Sequence, residues 1–163
     1  MLGQDDPTTS ASKPLSVLAA NVRFLRAEAN WSTREFAHHG GLSLATLYGI
    51  EHGKQNTVRL STIENLAKAF GVHVSVLLTP GREPRRPWVD EDSLHRAAAA
   101  LVARRTALGW TQEELAAVAD VSRDIVAKIE RQSRNPTLEV LHRLSAALGV
   151  EVHELFENDV ASR

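Results

Sequence analysis

Along most of the chain, apolar residues recur every three or four positions, a period that predicts a succession of amphipathic α-helices. Between residues 123 and 130, for example, Val126 and Ile129 share one helical face, and charged side chains surround them. Ten helices are predicted in this way, spanning residues 16–29, 33–40, 44–51, 60–70, 74–78, 92–107, 112–119, 123–130, 137–147 and 151–157. The predicted fold class is therefore all-α.

Capping residues mark the start of two neighbouring helices. Thr111 is followed three residues later by Glu114, which is the spacing of a capping box and predicts a helix beginning at Gln112. Ser122 is a good N-cap for the helix 123–130. Only a tight corner at residues 119–121 separates the two helices, and this arrangement predicts a helix-turn-helix unit.

The helical pattern occurs twice. A shift of 79 residues aligns Trp31 with Trp110, Ser32 with Thr111, Glu35 with Glu114, Ala37 with Ala116, Ser43 with Ser122, Ile50 with Ile129 and Glu51 with Glu130. After Asn56 the first copy has one extra residue, so the shift becomes 78 and pairs Leu60 with Leu138. The chain therefore holds two copies of one small helical domain.

The predicted domain order follows from the repeat. Residues 1–14 are expected to form a disordered polar arm, residues 15–79 the first domain, residues 80–91 a linker and residues 92–158 the second domain. The linker carries prolines at 80, 84 and 87, which favour an extended segment. Trp88, which is isolated within it, is expected to dock onto one of the domains or onto a partner.

Composition excludes several classes of protein. The chain has 163 residues, of which 43% are hydrophobic and 24% charged, as in soluble globular proteins. It has no cysteine, which excludes disulfides, thiolate chemistry and cysteine-ligated zinc. Neither a membrane-spanning apolar run nor a secretory signal is present in the sequence, so a cytoplasmic protein without membrane association is expected.

The net charge of −1 gives no global sign of a nucleic-acid partner. Locally, however, the segment from 123 to 134 carries four basic residues against Asp124 and Glu130. This distribution allows one basic face on an otherwise nearly neutral protein.

The corner between the two helices meets the steric demands of a helix-turn-helix in both copies. Ala37 and Ala116 are small enough for a close helix crossing. Gly41 and Asp120 stand where the turn needs a residue that tolerates positive φ. Apolar anchors for the second helix are Phe36, Leu42, Leu47 and Ile50 in the first copy, and Leu115, Val121, Val126 and Ile129 in the second.

The segment LVARRTALGWTQEELAAVADVSRDIVAKIERQSRNPTLEVLHRLSAALGVEVHELF resembles the Cro/cI-type (XRE) helix-turn-helix domains of phage repressors and bacterial regulators. The first copy resembles them more weakly. The resemblance implies two tandem five-helix, lambda-repressor-like DNA-binding domains, in each of which the third helix, the recognition helix, enters the major groove. It also implies that Arg123, Asp124 and Lys128 contact base edges, and that the phosphate contacts are Gln112, Ser122, Arg131, Arg134 and Asn135. Two ion pairs, Arg105–Glu130 and Arg26–Glu51, match a structural pair of this family.

The first copy lacks most of the side chains that are expected to contact DNA in the second copy. Its matching recognition positions are Leu44, Ala45 and Gly49, and Thr33 replaces Gln112. We expect the first domain to serve in dimerisation, in binding a protein partner, or in non-specific contact with the DNA backbone. A DNA contact remains open through Thr46, Tyr48, Arg34, Lys54 and Arg59.

Other chemistry is weakly represented. His38 and His39, with His52 and His73, are not spaced like metal ligands, because adjacent helical residues point about 100° apart. The sequence contains no glycine-rich phosphate loop and no nucleophile elbow. We therefore expect no metal, no cofactor and no enzymatic activity.

The sequence as a whole predicts a transcription regulator, bacterial or phage-encoded and nucleoid-associated, that represses at a double-stranded DNA operator. Palindromic operators favour a homodimer that presents two second domains about one helical turn apart. A pseudo-dimer formed by the two copies of one chain is the alternative, disfavoured by their unequal recognition helices. The rival function is an antitoxin or adaptor whose main contact is a partner protein.

Overall fold

The computed structural model describes residues 13–55, 57–81, 87–88 and 92–157, and in this part of the chain the regular elements are helices, with two isolated β-bridges besides. The helices are α1 (Lys13–Glu28), α2 (Thr33–His39), α3 (Leu44–Glu51), α4 (Leu60–Phe70), α5 (Val74–Leu78), α6 (Ser93–Ala107), α7 (Gln112–Val118), α8 (Arg123–Glu130), α9 (Leu138–Ala147) and a 3₁₀ helix (Val152–Phe156). The predicted all-α fold with two helix-turn-helix domains is confirmed.

The predicted boundaries of α3, α4, α5 and α8 agree with the structure to the residue. The final element is a 3₁₀ helix where an α-helix was predicted. The predicted disordered arm, 1–14, is wrong at its end because α1 already begins at Lys13. Pro14 is tolerated there, since the first helical N–H groups have no intrahelical partner. The rest of that arm lies outside the described residues, as do residues 82–86 and 89–91 of the linker.

The capping residues behave as the sequence predicts. The Thr111 side chain accepts a hydrogen bond from the Glu114 amide, and the Glu114 carboxylate accepts one from the Thr111 amide at 2.7 Å. The first copy repeats this box with Ser32 and Glu35. Gly41 and Asp120 adopt positive φ, 60° and 52°, as their turns require. Each corner is thus determined by local chemistry.

Each domain buries the apolar faces of its own helices. Phe36, Leu47 and Ile50 are fully buried in the first domain, and Leu115 and Ile129 occupy the matching positions in the second. These side chains join α2 to α3 and α7 to α8. As a result, the exposed faces of α3 and α8 are held rigidly on each domain.

The two domains also pack directly against each other. Leu60 N donates to Pro136 O at 2.9 Å, and Leu138 N donates to Val58 O at 2.7 Å. The α5 helix contacts the 3₁₀ helix, α1 contacts α9, and α4 contacts α6. The predicted homodimer is not tested by a single chain and stays a prediction.

Part of the linker is attached to the first domain. Pro87 forms an antiparallel bridge with Val72, and Trp88 N donates to Gly71 O at 3.0 Å. The Trp88 ring is half-buried and packs against the hydrophobic core. The expectation that this tryptophan docks onto a domain is confirmed. Across the described residues, every helix is too short or too polar to cross a bilayer.

Candidate nucleic-acid interface

The helix-turn-helix of the second domain exposes one face of α8. Leu115 and Ala116 of α7 are buried, and Val126 and Ile129 of α8 pack into the same core. Val121 N donates to Ala116 O at 3.0 Å, which closes the turn between the helices. Because the apolar side of α8 is buried, its charged side faces solvent.

Arg123 stands at the first position of α8 and is exposed. The Ser122 side chain caps the helix by accepting a hydrogen bond from Ile125 N at 3.3 Å. This cap fixes where the helix begins, and therefore where the guanidinium is presented. Ser122 is also predicted to contact phosphate, so its side chain would serve both as the helix cap and as the phosphate contact.

Asp124 and Lys128, both expected at base edges, bind each other one helical turn apart. The distance from Lys128 Nζ to Asp124 Oδ2 is 2.8 Å, and both side chains are exposed. The hydrogen bond from Lys128 lowers the pKa of Asp124 below its ordinary value. Desolvation opposes this shift, and the charges of Lys128, Arg131 and Arg134 add to it. Asp124 is therefore ionised at neutral pH, amid basic groups.

A buried ion pair holds α8 to α6. Arg105 Nε lies 2.7 Å from Glu130 Oε1, and the two side chains are only 13% and 6% exposed. Arg105 Nη1 also donates to Trp110 O at 2.6 Å. The hydrogen bond to Glu130 raises the pKa of the Arg105 guanidinium above its ordinary value. Gln112 Nε2 donates to Glu130 Oε2 at 2.7 Å, so the predicted phosphate ligand is part of this network.

The first domain has the same pair without the third member. Arg26 Nε lies 2.6 Å from Glu51 Oε1, and Arg26 Nη1 donates to Trp31 O at 3.0 Å. Thr33 occupies the position of Gln112, and its shorter side chain supplies no amide. The first domain instead adds Arg23 of α1, whose guanidinium donates to the main-chain oxygen of Glu51.

The loop that follows α8 leads from the candidate interface to the first domain. Arg131 and Arg134 are exposed, and Gln132 turns the chain with a φ of 59°. The Asn135 side chain, predicted to contact phosphate, bonds instead to Ser61 of the first domain through both its amide oxygen and its amide nitrogen. The structure thus places Asn135 at the domain interface.

The equivalent face of α3 is largely apolar. Leu44 is 45% exposed and Tyr48 is 52% exposed. The Tyr48 ring stacks on His52 at 3.8 Å between centroids, and Lys54 Nζ lies 5.9 Å from the Tyr48 centroid. The repeat aligns Tyr48 with Ala127, so this aromatic side chain has no counterpart on α8.

Gly49, which the repeat aligns with Lys128, is buried beneath Gln55. A Cβ atom at position 49 would lie 2.8 Å from Gln55 Oε1. Sequence comparison detected the lost side chain but not the residue that covers it. Only the folded loop brings Gln55 to this helix, so no local signal in the sequence indicates the contact.

No group of three histidine, aspartate or glutamate side chains with metal-binding geometry occurs in the part of the chain that the structure describes.

Comparison with known proteins agrees with this geometry. Residues 101–155 match the family described as "Helix-turn-helix", and residues 17–78 match the family described as "Helix-turn-helix domain". The chain belongs to the helix-turn-helix family, with two domains of the XRE type. The recognition helices α3 and α8 both lie within the matched ranges.

A curated relative is similar over one such domain's length. The "Neisseria hypothetical transcription factor" of Neisseria meningitidis serogroup B (strain ATCC BAA-335 / MC58) is 38% identical over 68 residues. The aligned part covers 42% of this chain and 63% of the relative, so the chain spans less than two thirds of that protein. No solved structure matches the chain.

Proposed function

We propose that this protein is a transcription regulator that binds double-stranded DNA sequence-specifically, inserts α8 into the major groove and represses at an operator overlapping a promoter. The two helix-turn-helix matches and the named relative support a DNA-binding transcription regulator. The observation that carries the finer proposal is the exposed Arg123 beside the Asp124–Lys128 pair on a rigidly anchored helix.

The proposed roles follow from hydrogen-bonding geometry. The Arg123 guanidinium can donate two parallel bonds to O6 and N7 of a guanine. The Asp124 carboxylate can accept from the N4 amino group of a cytosine, and Lys128 can then turn from Asp124 to a base or a phosphate. Each good base contact discriminates by about 1–3 kcal/mol against the wrong base.

Positioning along the groove is assigned to Gln112, Ser122, Arg131 and Arg134. The last two are exposed bases at the C-terminal side of α8, and their charge favours phosphate oxygens. Ser122 and Gln112 lie at the N-terminal ends of α8 and α7, where backbone N–H groups also favour anions. These residues set register and affinity without encoding sequence.

Repression in this proposal is steric: a bound protein covers promoter DNA that the polymerase needs. No catalytic step is required, so the protein acts without a cofactor or enzymatic activity. It functions at the nucleoid in the cytoplasm of a bacterium.

A second candidate function is supported by the first domain. The exposed side chains of Leu44 and Tyr48 offer an apolar face that suits a protein partner. An antitoxin or adaptor would use this face as its main contact and bind DNA secondarily.

The test begins by selecting bound fragments from a genomic library with the full chain. Affinity for the selected site is then measured across salt concentrations for the wild type, Arg123→Ala and Lys68→Ala. Lys68 is an exposed base in the last turn of α4, away from α8, and serves as the charge-matched control. The Arg123 change should weaken specific binding roughly tenfold or more, whereas the control should not.

A specific site with a steep salt slope would support the regulator, because each neutralised phosphate contributes a slope of about −0.9. Binding that ignores both sequence and Arg123 would reject the proposed readout. Transcription in vitro from a template that carries the site separates repression from activation. Tight capture of a protein partner without salt-dependent DNA affinity would favour the second candidate.

A further inference from the structure

We infer that one chain binds its operator as a covalent pseudo-dimer, with a specific half-site under α8 and a sequence-tolerant half-site under α3. This inference rests on the proposed function, because it concerns how the same DNA-binding site is completed. In this arrangement one chain, with two unlike recognition helices, takes the place of the homodimer expected from the sequence.

The first observation is a reciprocal pair of backbone hydrogen bonds. Leu60 N donates to Pro136 O, and Leu138 N donates to Val58 O. The repeat shift of 78 converts Leu60 into Leu138 and Val58 into Pro136, so each bond is the image of the other. Contacts of this isologous kind are the signature of a two-fold axis.

The bridging residues locate the axis. Arg59 and Thr137 face each other in an antiparallel bridge, and the repeat also makes them equivalent. When a residue pairs with its own equivalent, the two-fold axis runs midway between the two. The pseudo-two-fold axis therefore passes between Arg59 and Thr137.

Helix packing obeys the same symmetry. The α5 helix contacts the 3₁₀ helix, which is its own counterpart in the second domain. The α1–α9 contact has an image in the α4–α6 contact, since the repeat exchanges α1 with α6 and α4 with α9. The buried residues of both domains form one hydrophobic cluster that includes Leu77, Leu155 and Phe156. The pairing is thus an apolar interface and not only a single bridge.

This symmetry dictates where the recognition helices lie. It relates α3 to α8, as the axis of a helix-turn-helix dimer relates its two recognition helices. Such dimers place their recognition helices in successive major grooves about 34–36 Å apart. One chain already has the two-fold arrangement that other regulators achieve with two.

The pseudo-two-fold axis relates the backbones of α3 and α8, but their exposed side chains differ. At α8 the exposed groups are Arg123, Asp124 and Lys128, whereas α3 offers Leu44 and Tyr48. Apolar side chains discriminate bases weakly, by contact with a thymine methyl group. The favoured operator is therefore not a palindrome: one half-site carries sequence information, and the other, one turn away, is tolerant.

The first test is selection of binding sites from a randomised duplex pool with the full chain, followed by native mass spectrometry and hydroxyl-radical footprinting. We expect one informative half-site, protection of a second patch about one helical turn away, and one chain per duplex. A palindromic motif bound by two chains would overturn the inference and leave the proposed function intact. An unenriched pool would instead reject the proposed function.

The second test links the two domains covalently across the Arg59–Thr137 bridge. The chain has no cysteine, so Arg59→Cys with Thr137→Cys creates a single possible disulfide. Residues opposed in an antiparallel bridge have Cα atoms roughly 4.5–5.5 Å apart, within the range that a disulfide spans. We expect an intramolecular cross-link whose oxidised and reduced forms bind the selected site with affinities within about threefold. Failure to cross-link, or loss of binding on oxidation alone, would overturn the paired arrangement.

Two surface variants, one on α3 and one on α8, test the separate roles of these helices in DNA binding. Leu44→Ala with Tyr48→Ala should weaken binding several-fold and erase the second protected patch, while the enriched half-site is unchanged. Arg123→Ala should erase the sequence preference instead. An altered motif in the α3 variant would show that α3 reads sequence, and would overturn the tolerant half-site.

Discussion

Asn135 of the second domain caps a helix of the first through Ser61. Its Oδ1 accepts a hydrogen bond from Ser61 N at 3.3 Å, and its Nδ2 donates to Ser61 Oγ at 2.6 Å. Arg59, the N-cap residue of α4, provides no side-chain cap of its own. The equivalent helix α9 is capped locally by Thr137. The second domain therefore supplies what the sequence of the first domain lacks, and the domain pairing stabilises α4.

Replacing Asn135 by alanine should lower the free energy of unfolding by about 1 kcal/mol, as removal of an N-cap does. Asn135→Asp keeps an oxygen acceptor for Ser61 N and should lose less. Urea denaturation of both variants measures the difference. If alanine left stability unchanged but weakened DNA binding, Asn135 would be a phosphate contact and not a cap.

Gln112 should contribute to stability before any DNA is bound. Its amide donates to the nearly buried Glu130 carboxylate, and hydrogen bonds to charged groups contribute about 1.5–3 kcal/mol. Gln112→Thr reproduces the first domain's residue and should lower the unfolding free energy by roughly that amount. The reverse graft, Thr33→Gln, should raise it or leave it unchanged. Equal stability of wild type and Gln112→Thr would contradict the observed bond.

The Glu114 capping box should make stability depend on acid pH. Hydrogen bonds from the Thr111 amide and hydroxyl lower the pKa of Glu114. A lowered folded-state pKa stabilises above the unfolded-state value and is lost as pH falls through the folded-state value. Glu114→Ala should therefore lower Tm at pH 7 and have little effect once wild-type Glu114 is protonated.

Glu113 provides the matched control for this experiment. It is an exposed acid in the same first turn of α7 and takes no part in the capping box. Thermal melts of Glu113→Ala from pH 7 to pH 3 should run closer to those of the wild type. A Tm difference for Glu114→Ala that persisted unchanged into acid would disprove the ionic contribution.

Substitutions at Gly49 and Gln55 should have non-additive effects on the free energy of unfolding. Alanine in a helix interior is favoured over glycine by about 1 kcal/mol, but a Cβ at position 49 meets Gln55 Oε1 at 2.8 Å. Gly49→Ala should therefore stabilise the protein by about 1 kcal/mol in a Gln55→Ala background, and by less in the wild type. A double-mutant cycle in urea measures the coupling. Additive effects would show that Gln55 moves away at no cost.

Asp124 should oppose non-specific DNA binding. Its lowered pKa keeps it ionised throughout the neutral range, and its charge neutralises Lys128 and repels phosphate. Asp124→Ala should strengthen binding to random duplex and reduce discrimination between specific and random sites. Glu139→Ala breaks a similar exposed pair, with Arg143 on α9, and is the matched control. If both variants changed random-duplex binding equally, the loss of one negative charge would explain the effect, and the position of Asp124 on α8 would not matter.

Local sequence chemistry determined the helices and corners of this protein. Capping boxes, the left-handed positions at Gly41 and Asp120, and apolar residues at helical spacing all act within a few residues of one another, so they can be read without the fold. The family resemblance implied the Arg105–Glu130 and Arg26–Glu51 pairs, and the recurrence of both partners in the two copies supported it; both pairs form in the structure.

The tertiary structure alone decided how the two domains meet. The bonds between Ser61 and Asn135, and between the backbones of Leu60 and Pro136, join residues more than 70 positions apart. No periodicity or cap encodes such contacts, since they depend on which surfaces the linker allows to meet and on the apolar area buried there. The sequence therefore identified α8 as the candidate reading helix. Only the packing of the domains showed that α3 is its two-fold counterpart within the same chain.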